Sequence, residues 1–569
     1  MNKNLIGEQI SAFFDRIFKK QRDRDFKIKL IISIIFAVLT AGIGFYVFLP
    51  PLNLRAQSFW FYILAIAVAA ALPFFTPRAY EKKGKKYVKV PIIKANLTAI
   101  TIVALPLSVL LIGSLISSTV FNARAYARVI EVKESNFSQD LPETTEVTNI
   151  ALMDTESAKM LGNRTLGSLS HVVSQYTVSD AYTQINYKNT PKKVSNLEYD
   201  GFFKWIGNRD KGVPGLVIVD PVNSSAEYME LSSPMHYVQS GYFGDDLMRK
   251  LRFDYPTKIF DDSSLSFELD DKGNPYYIVS CYKPRVMLFG AYDVSEVIIF
   301  NPCDGSSTIY PVGEVPAWVD VVYDGYLASD KFNWHGTLSG GFINSIIGNV
   351  GCKQATDDFG YVVLGDDVWY FTGVTSAVSN DKSNIGFILT NARTGEYRFY
   401  PVIGAEEHSA MAAAEGEVQE KGYVASFPSL INVSGQATYI MVLKDAAGLV
   451  KLYALVNVEN YSIVATGATQ ADAMSSYKKL LRQNDIQIGD GTMNVEITVE
   501  DVRIAMVSDV ATVYVTAESG EVYKGYLEAD EALILIRKGD KLKISYIPGD
   551  IDRIFIISHW EFVKEDGLE

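Results

Sequence analysis

Three long apolar runs stand near the N-terminus, and the rest of the chain has the pattern of soluble protein. Leu30 to Leu49 is a run of 20 residues without a charge. As a helix rising about 1.5 Å per residue it covers about 30 Å, enough to cross a hydrocarbon core. Phe59 to Phe75 is a second uncharged run, on the short side, and Ala95 to Val120 is a third, with Pro106 inside it. Buried core helices are the alternative, but three such runs in close succession point to a membrane anchor. A cleaved signal peptide fits poorly. The first run is longer than an h-region, no small-x-small cleavage site stands out, and two more runs follow.

Before the first run, Ile6, Ile10, Phe13, Phe14, Ile17 and Phe18 fall on one helical face, with Lys19, Lys20, Arg22 and Arg24 beyond. That pattern predicts an amphipathic helix against anionic lipid over residues 1–29. A continuous cytoplasmic extension of the first span is the alternative.

Beyond residue 120 the pattern becomes β-type runs, turns and short helical stretches. Four segments are similar. Each is a β-rich run, then Asp220, Asn301, Asn391 or Asn457, then a turn. The spacings are 81, 90 and 66 residues. Asn223, Asp304, Gly305, Thr394 and Gly395 occupy the turns. A helical pattern precedes each segment: Thr155 to Ser170, Asp245 to Phe253, Gly340 to Asn349, and Glu406 to Gln419. Alternating runs around Asp271-Lys272-Gly273-Asn274 and Asp445-Ala446-Ala447-Gly448 predict hairpins. Self-similarity at this scale predicts a repeat region over 121–467 with about four α+β units, antiparallel sheets with short helices.

Thr469-Gln470-Ala471-Asp472 has the form of a capping box and opens a linker helix within 468–490, running to about Gln483. Five strand-like runs follow in 491–569: Val495 to Val507, Ala511 to Ala517, Glu521 to Leu527, Lys541 to Ile547, and Arg553 to Ser558. Ala529 to Ile536 suits a helical turn between the third and fourth. The whole predicts a multi-domain protein: a three-helix transmembrane anchor over 30–120, α+β repeat modules, and a small C-terminal β-barrel.

Two resemblances refine this. A helix and antiparallel strands closing on strand-Asp-x-x-Thr-Gly-strand resemble the PepSY module. Asn391-Ala392-Arg393-Thr394-Gly395-Glu396 is the nearest match, with Asp220, Asn301 and Asn457 at the corresponding places. The fourth unit lacks the Gly. The resemblance covers residues 150–467, and the alternatives are another repeated α+β module or no true repeat. It implies an extracytoplasmic or membrane-linked protein; some PepSY modules are peptidase-inhibitory pro-regions. Five strands with a helical insertion after the third resemble an OB-fold barrel, with an SH3-like barrel as runner-up.

Charge sets the orientation. Residues 1–29 carry eight Lys/Arg against four acids. The Thr76–Lys94 loop carries seven, among them Lys82, Lys83, Lys85 and Lys86, against Glu81 alone, while Pro50 to Ser58 has only Arg55. Basic loops stay inside, so the N-terminus is expected in the cytoplasm and residues 121–569 outside it, in a multi-pass protein of the cell membrane. These three segments hold +4, +6 and +1 against a total of −13, leaving −24 for residues 121–569. Such acidity excludes nucleic acid as an expected partner. It suits divalent cations, basic proteins or simply a solvated surface.

Candidate chemistry is sparse. His171, His236, His335, His408 and His559 form no His-x-x-x-His pair. The region from His335 to Gly341 lacks the Gly-x-Ser-x-Gly of a nucleophile elbow, because position 337 is Thr. Ser475-Ser476-Tyr477-Lys478 matches Ser-x-x-Lys without its partner motifs. Asp270-Asp271, Asp357-Asp358 and Asp366-Asp367 lie at predicted turns. Cys281 and Cys303 are candidates for a bridge between strands, leaving Cys352 free. The apolar runs hold no Asp, Glu, Lys or Arg, so the anchor suits a mount better than a pore. The expected function is a non-enzymatic, membrane-anchored scaffold or protein-binding component of the envelope. Its expected partners are membrane lipid and other envelope proteins, with homo-oligomers open and no cofactor or metal. An inhibitor or regulator of an extracytoplasmic peptidase is the alternative, and an envelope hydrolase with an unrecognised site the third.

Overall fold

The computed structural model describes residues 3–75, 80–83, 86–89, 96–144, 150, 152–377, 383–484, 486, 493–507, 510–527, 530–548 and 554–563. Three helices near the N-terminus are long and apolar enough to cross a membrane: Phe26–Phe48, Gln57–Phe74 and Leu97–Ile116. The first belongs to a longer helix, α1 (Lys3–Phe48), which runs without a break. The segment before the first span is therefore one helix with it. The second is α2 (Gln57–Ala71), ended by a 3₁₀ turn through Pro73. The third is α3 (Leu97–Ile116), which keeps Pro106 inside it. Side chains tie the three together: Ser33 donates to the Ala70 carbonyl at 2.6 Å, Tyr62 to Ala41 at 2.8 Å, and Gln57 to Ser114 at 3.2 Å.

A β-rich region follows, and one order of elements recurs in it four times. Each unit has a helix, an edge strand (broken in two in the first, third and fourth units), two long central strands and a second edge strand, all antiparallel. In the first unit (155–235) the helix Thr155–Gly167 precedes strands at Thr190–Tyr199, Val213–Asp220 and Ser225–Met235. In the second (247–311), Leu247–Asp254 precedes Leu265–Leu269, Pro275–Val286, Gly290–Phe300 and Ser307–Pro311. In the third (325–400), Gly325–Leu338 precedes Asp367–Ser376, Ser383–Asn391 and Tyr397–Tyr400. In the fourth (407–467), Glu407–Glu417 precedes Gln436–Lys444, Val450–Asn457 and Val464–Gly467. A strand not foreseen, Val132–Glu134, joins the third sheet in parallel beside Tyr397–Tyr400.

Packing explains why these strands are apolar on successive residues. The first and second sheets share one core, where Leu216 and Ile218 meet Phe267, Val279 and Phe300. The third and fourth share another, where Phe371, Phe387 and Leu389 meet Tyr439, Met441 and Val456. The opposite face of the fourth sheet, through Ile440, Val442 and Leu455, is covered by Ala473, Tyr477 and Leu481 of helix Gln470–Gln483. Both faces of the central strands are thus buried, which favours continuous apolar runs. The capping box forms as expected. Thr469 Oγ1 accepts from Asp472 N at 3.1 Å, and the Asp472 carboxylate accepts from Thr469 N at 3.2 Å.

The third helix lies elsewhere than expected. It spans Gly325–Leu338, whereas Gly340–Asn349 holds only a short helical segment, residues 342–348, which ends in the π-helical turn Asn344–Gly348. Asp324 starts the true helix, its side chain accepting from Leu327 N at 2.9 Å. Of the later apolar residues Phe342 packs beside Ala127 and Leu338, whereas Ile343, Ile346, Ile347 and Val350 are exposed.

At the C-terminus five strands pair in a cycle: Met493–Val507, Val510–Ala517, Val522–Tyr526, Ile554–Phe562, Lys541–Pro548, and back to the first. The long first strand serves two partners. Its first half pairs with Lys541–Pro548 and its second half with Val510–Ala517. Only Val522–Tyr526 and Ile554–Phe562 run parallel. A 3₁₀ turn at Glu531–Leu535 plugs the interior with Leu533, beside Ile497, Val513 and Ile544.

Candidate functional site

The four singled-out turn residues occupy equivalent places, each ending the third strand of its unit. Asp220 Oδ1 accepts from Val222 N and Asn223 N, both at 2.9 Å. Asn301 Oδ1 accepts from Cys303 N at 2.9 Å, and Asn391 Oδ1 from Arg393 N and Thr394 N at 2.9 and 2.8 Å. Asn457 Oδ1 accepts from Asn460 N at 2.7 Å. Asx side chains that satisfy following amides explain this choice of residue. Four positions after the Asx, the backbone of the first three units turns left-handed, at Ser224 (φ 51°), Gly305 (75°) and Gly395 (70°). Glycine suits that position because it lacks a Cβ. The turns are structural supports, and they are not gathered at one surface site. Asn301→Ala should lower stability by about 1 kcal/mol while Asn301→Asp, which keeps the acceptor as Asp220 does, should melt near wild type. Thermal unfolding of the two variants checks this.

Among the basic positions, Lys19, Lys20, Arg22 and Arg24 lie on α1. Lys82 and Lys83 end the short strand Tyr80–Lys83, and Lys86 opens its antiparallel partner Lys86–Lys89. Lys85 lies outside the described residues.

Around the ends of the long apolar helices, the β-rich region is fastened to them by groups that sequence reasoning missed. Arg252, fully buried, donates to the Leu49, Lys258 and Phe260 carbonyls at 2.8, 2.6 and 2.9 Å. Its guanidinium stacks on the Phe260 ring at 3.9 Å. Arg55 donates to the Pro284 and Met287 carbonyls at 2.8 and 3.1 Å. Ser117, just past α3, accepts from Leu288 N and Phe289 N at 3.1 and 3.0 Å. The only signal in the sequence was the lone Arg55 in an otherwise uncharged loop.

A second concentration of polar groups lies where the first three units meet. Glu268, fully buried, accepts from Asp320 N and Val321 N at 2.8 and 2.9 Å. Asp320 accepts from Asn186 N of the first unit at 2.7 Å. The Ala392 carbonyl of the third unit accepts from Val322 N and Tyr323 N at 3.0 and 2.8 Å. Burial raises the pKa of Glu268, and the neighbouring Asp320 carboxylate raises it further. Burial likewise raises Asp320. A carboxyl whose pKa is higher folded than unfolded supports folding at low pH and loses that contribution as pH rises. Stability should therefore fall from about pH 5 to about pH 8, and Asp320→Asn should flatten that fall by removing the like charge. Thermal melts of both proteins across that range measure it. A difference between them that does not change with pH would exclude this coupling.

Beside this junction a cleft of about 380 Å³ opens between the first, third and fourth units. Gln184, Asp220, Asn223, Tyr361, Leu430 and Asn432 are among its walls. The Gln184 amide nitrogen is buried behind the cleft wall and has no hydrogen-bond partner among the described residues. Lys193, across the strand pair from Gln184, lies over the Tyr361 ring at 4.8 Å, and burial pulls its pKa down to about 8.

Several of the remaining candidates have structural partners. His335 sits 2.9 Å from the Ala127 carbonyl, and Asp270 caps a turn by accepting from Lys272 N and Asn274 N at 2.9 and 2.8 Å. Asp367 pairs with Arg393 across the third sheet. Cys281 and Cys303 are both free. Cys281 is buried on a central strand, while Cys303 points to the Ser233 carbonyl of the first unit at 3.1 Å. They have different neighbours, so no bridge joins the strands. Among the described residues no group of three or more His, Cys, Asp or Glu is placed to hold a metal ion. No protein-family model and no curated protein matches the chain.

Proposed function

We propose that this chain is a scaffold mounted in the cell membrane, whose β-rich region lies outside the cytoplasm and binds other envelope proteins without catalysing a reaction. The observation that carries the reading is the buried, hydrogen-bonded junction between the anchor and the second unit. It joins uncharged spans to four packed sheets as one body, an arrangement suited to presenting a surface. The basic segments 1–29 and 76–94, against the lone Arg55 between the first two spans, support a cytoplasmic N-terminus. The net charge of −24 on residues 121–569 favours basic protein surfaces as partners and disfavours nucleic acid.

The cleft lined by Thr190, Asp220 and Asn223 is the surface we assign to a partner. The C-terminal ring supports an OB-type barrel over an SH3-like one. Its strands follow the order first, second, third, fifth, fourth, its third and fifth strands are parallel, and a helical turn separates the third from the fourth. Its acidic residues, such as Glu496, Glu500 and Asp501, favour a protein ligand there too.

The recurrence of a helix and a meander closing on an Asx turn supports a second reading, a PepSY-like inhibitor or regulator of a peptidase. The full chain, purified in nanodiscs and returned to membrane extracts, separates the readings. Capture of a defined envelope protein, weakened by Asn223→Lys in the cleft and unaccompanied by turnover, supports the scaffold. Inhibition of a co-purified peptidase supports the second reading. Turnover abolished by one substitution would make the protein an enzyme, such as an envelope hydrolase, and overturn both.

A further inference from the structure

The junction fixes how close the β-rich region comes to the span ends. Phe253 of the second unit lies edge-on to Phe45, three residues before the end of α1, with ring centroids 5.4 Å apart. The hairpin tip at Leu288 and Phe289 reaches Gly113 of α3, and the Phe289 ring occupies the space a Cβ would need there. Gly113 is one turn before the end of that helix. Parts of the β-rich region thus reach the outermost turn of two spans.

Two apolar patches extend from this contact on either side. Next to the end of α1, Tyr46 shares a hollow with Gly201, Tyr242, Phe243 and Arg249. From Gly201 the short helix Phe202–Asn208 begins, presenting Phe203 at 83% exposure together with Ile206. Phe202 packs on Tyr242 at 5.1 Å, and Phe243 on Trp205 at 5.8 Å, so these rings form one surface. Arg249 stacks on Tyr46 at 4.4 Å beside it.

The second patch follows α3. Helix Thr119–Ala127 packs against helix Gly325–Leu338 through Tyr126 and Trp334, whose rings meet at 5.3 Å. Phe342 joins the same cluster. Beyond it Ile343, Ile346, Ile347 and Val350 are 60–80% exposed. The whole stretch from Gly336 to Cys352 carries no charged side chain, within a region of net charge −24. Exposed apolar patches of this kind mark interaction surfaces.

We propose that both patches insert into the interfacial layer of the bilayer, so that the β-rich region lies on the membrane beside its own anchor. Aromatic rings beside a cationic side chain favour the headgroup boundary, and uncharged isoleucine-rich turns favour the acyl region just beneath it. The occupant is lipid because the patches continue the apolar surface of the spans at their ends. The inference rests on those helices crossing a membrane.

The test places p-benzoylphenylalanine singly at Phe203, Ile347, Leu111 and Lys272 of the full chain in nanodiscs of phosphatidylcholine and phosphatidylglycerol. Leu111 is exposed on α3 and Lys272 is exposed in a turn of the second unit. Irradiation should give lipid adducts at Phe203 and Ile347 with yields approaching that at Leu111, and none at Lys272. Lipid adducts at Leu111 alone would overturn the inference while leaving the anchor in place. Adducts from Phe203 or Ile347 to a second copy of the chain would also overturn it. Failure at Leu111 as well would overturn the membrane-spanning reading beneath it.

Discussion

Arg252→Ala should loosen the whole β-rich region from its anchor and lower stability by about 3–5 kcal/mol, because one substitution leaves several buried carbonyls without their donor. Three carbonyls would lose their donor at once: Leu49 at the end of the first span, and Lys258 and Phe260 in the second unit. A buried acceptor left without a donor costs about 1–3 kcal/mol. The Phe260 ring would also lose the guanidinium stacked on it. Burial pulls the Arg252 pKa down to about 10, still far above neutrality, so the group remains a cation in the folded protein. Arg252→Lys should recover only part of the loss, because a single ammonium cannot reproduce the planar fork. Thermal unfolding and limited proteolysis in nanodiscs measure both variants. Proteolysis should reach the Pro50–Ala56 loop first. If Arg252→Ala melts with wild type, the junction does not hold the two parts together.

Phe387→Ala carries the second large effect. Phe387 is fully buried in the third sheet, and its ring meets Tyr439 of the fourth edge-on at 5.8 Å. Truncating a buried Phe lowers stability by about 3–5 kcal/mol, from lost burial and the cavity left behind. Because the core is shared, the loss should be felt by both units. Hydrogen exchange should accelerate together at Leu389 in the third unit and at Met441 and Val456 in the fourth. Exchange that changes in the third unit alone would show two separate cores.

Some of this architecture was legible in the residues. The three long apolar helices were legible because a helix able to cross a bilayer needs a long uncharged run, which short soluble elements rarely supply. The hairpin near Asp270 was legible because the alternation brackets a turn whose Asp satisfies the amides that follow. Helix Gln470–Gln483 was legible from Thr469 and Asp472, which cap it reciprocally. The third-unit helix was not. The apolar pattern at Gly340–Val350 has helical spacing but faces outward, whereas the helix that packs begins at Asp324. Periodicity reports that a face is apolar without saying what covers it. The polar junction was hidden for a different reason. Glu268, Asp320 and Asn186 are distant in sequence and converge only when three units pack. Arg252 likewise has no sequence signal of its own, because its carbonyl partners are brought to it only by the fold. The turn residues were recognisable as a recurring pattern, yet what they do is close hairpins; the cleft beside Asp220 and Asn223 carried no motif at all.

The central claim is that a cytoplasmic N-terminus and three spans mount the β-rich region on the far side of the membrane. Thiol labelling of intact cells with a membrane-impermeant maleimide tests it most directly, in a chain whose three native cysteines are replaced. A cysteine at Ser519, exposed in the C-terminal ring, should be labelled from outside. One at Gly84, which lies outside the described residues, should be spared until the membrane is permeabilised. Labelling at Gly84 with protection at Ser519 would contradict the account.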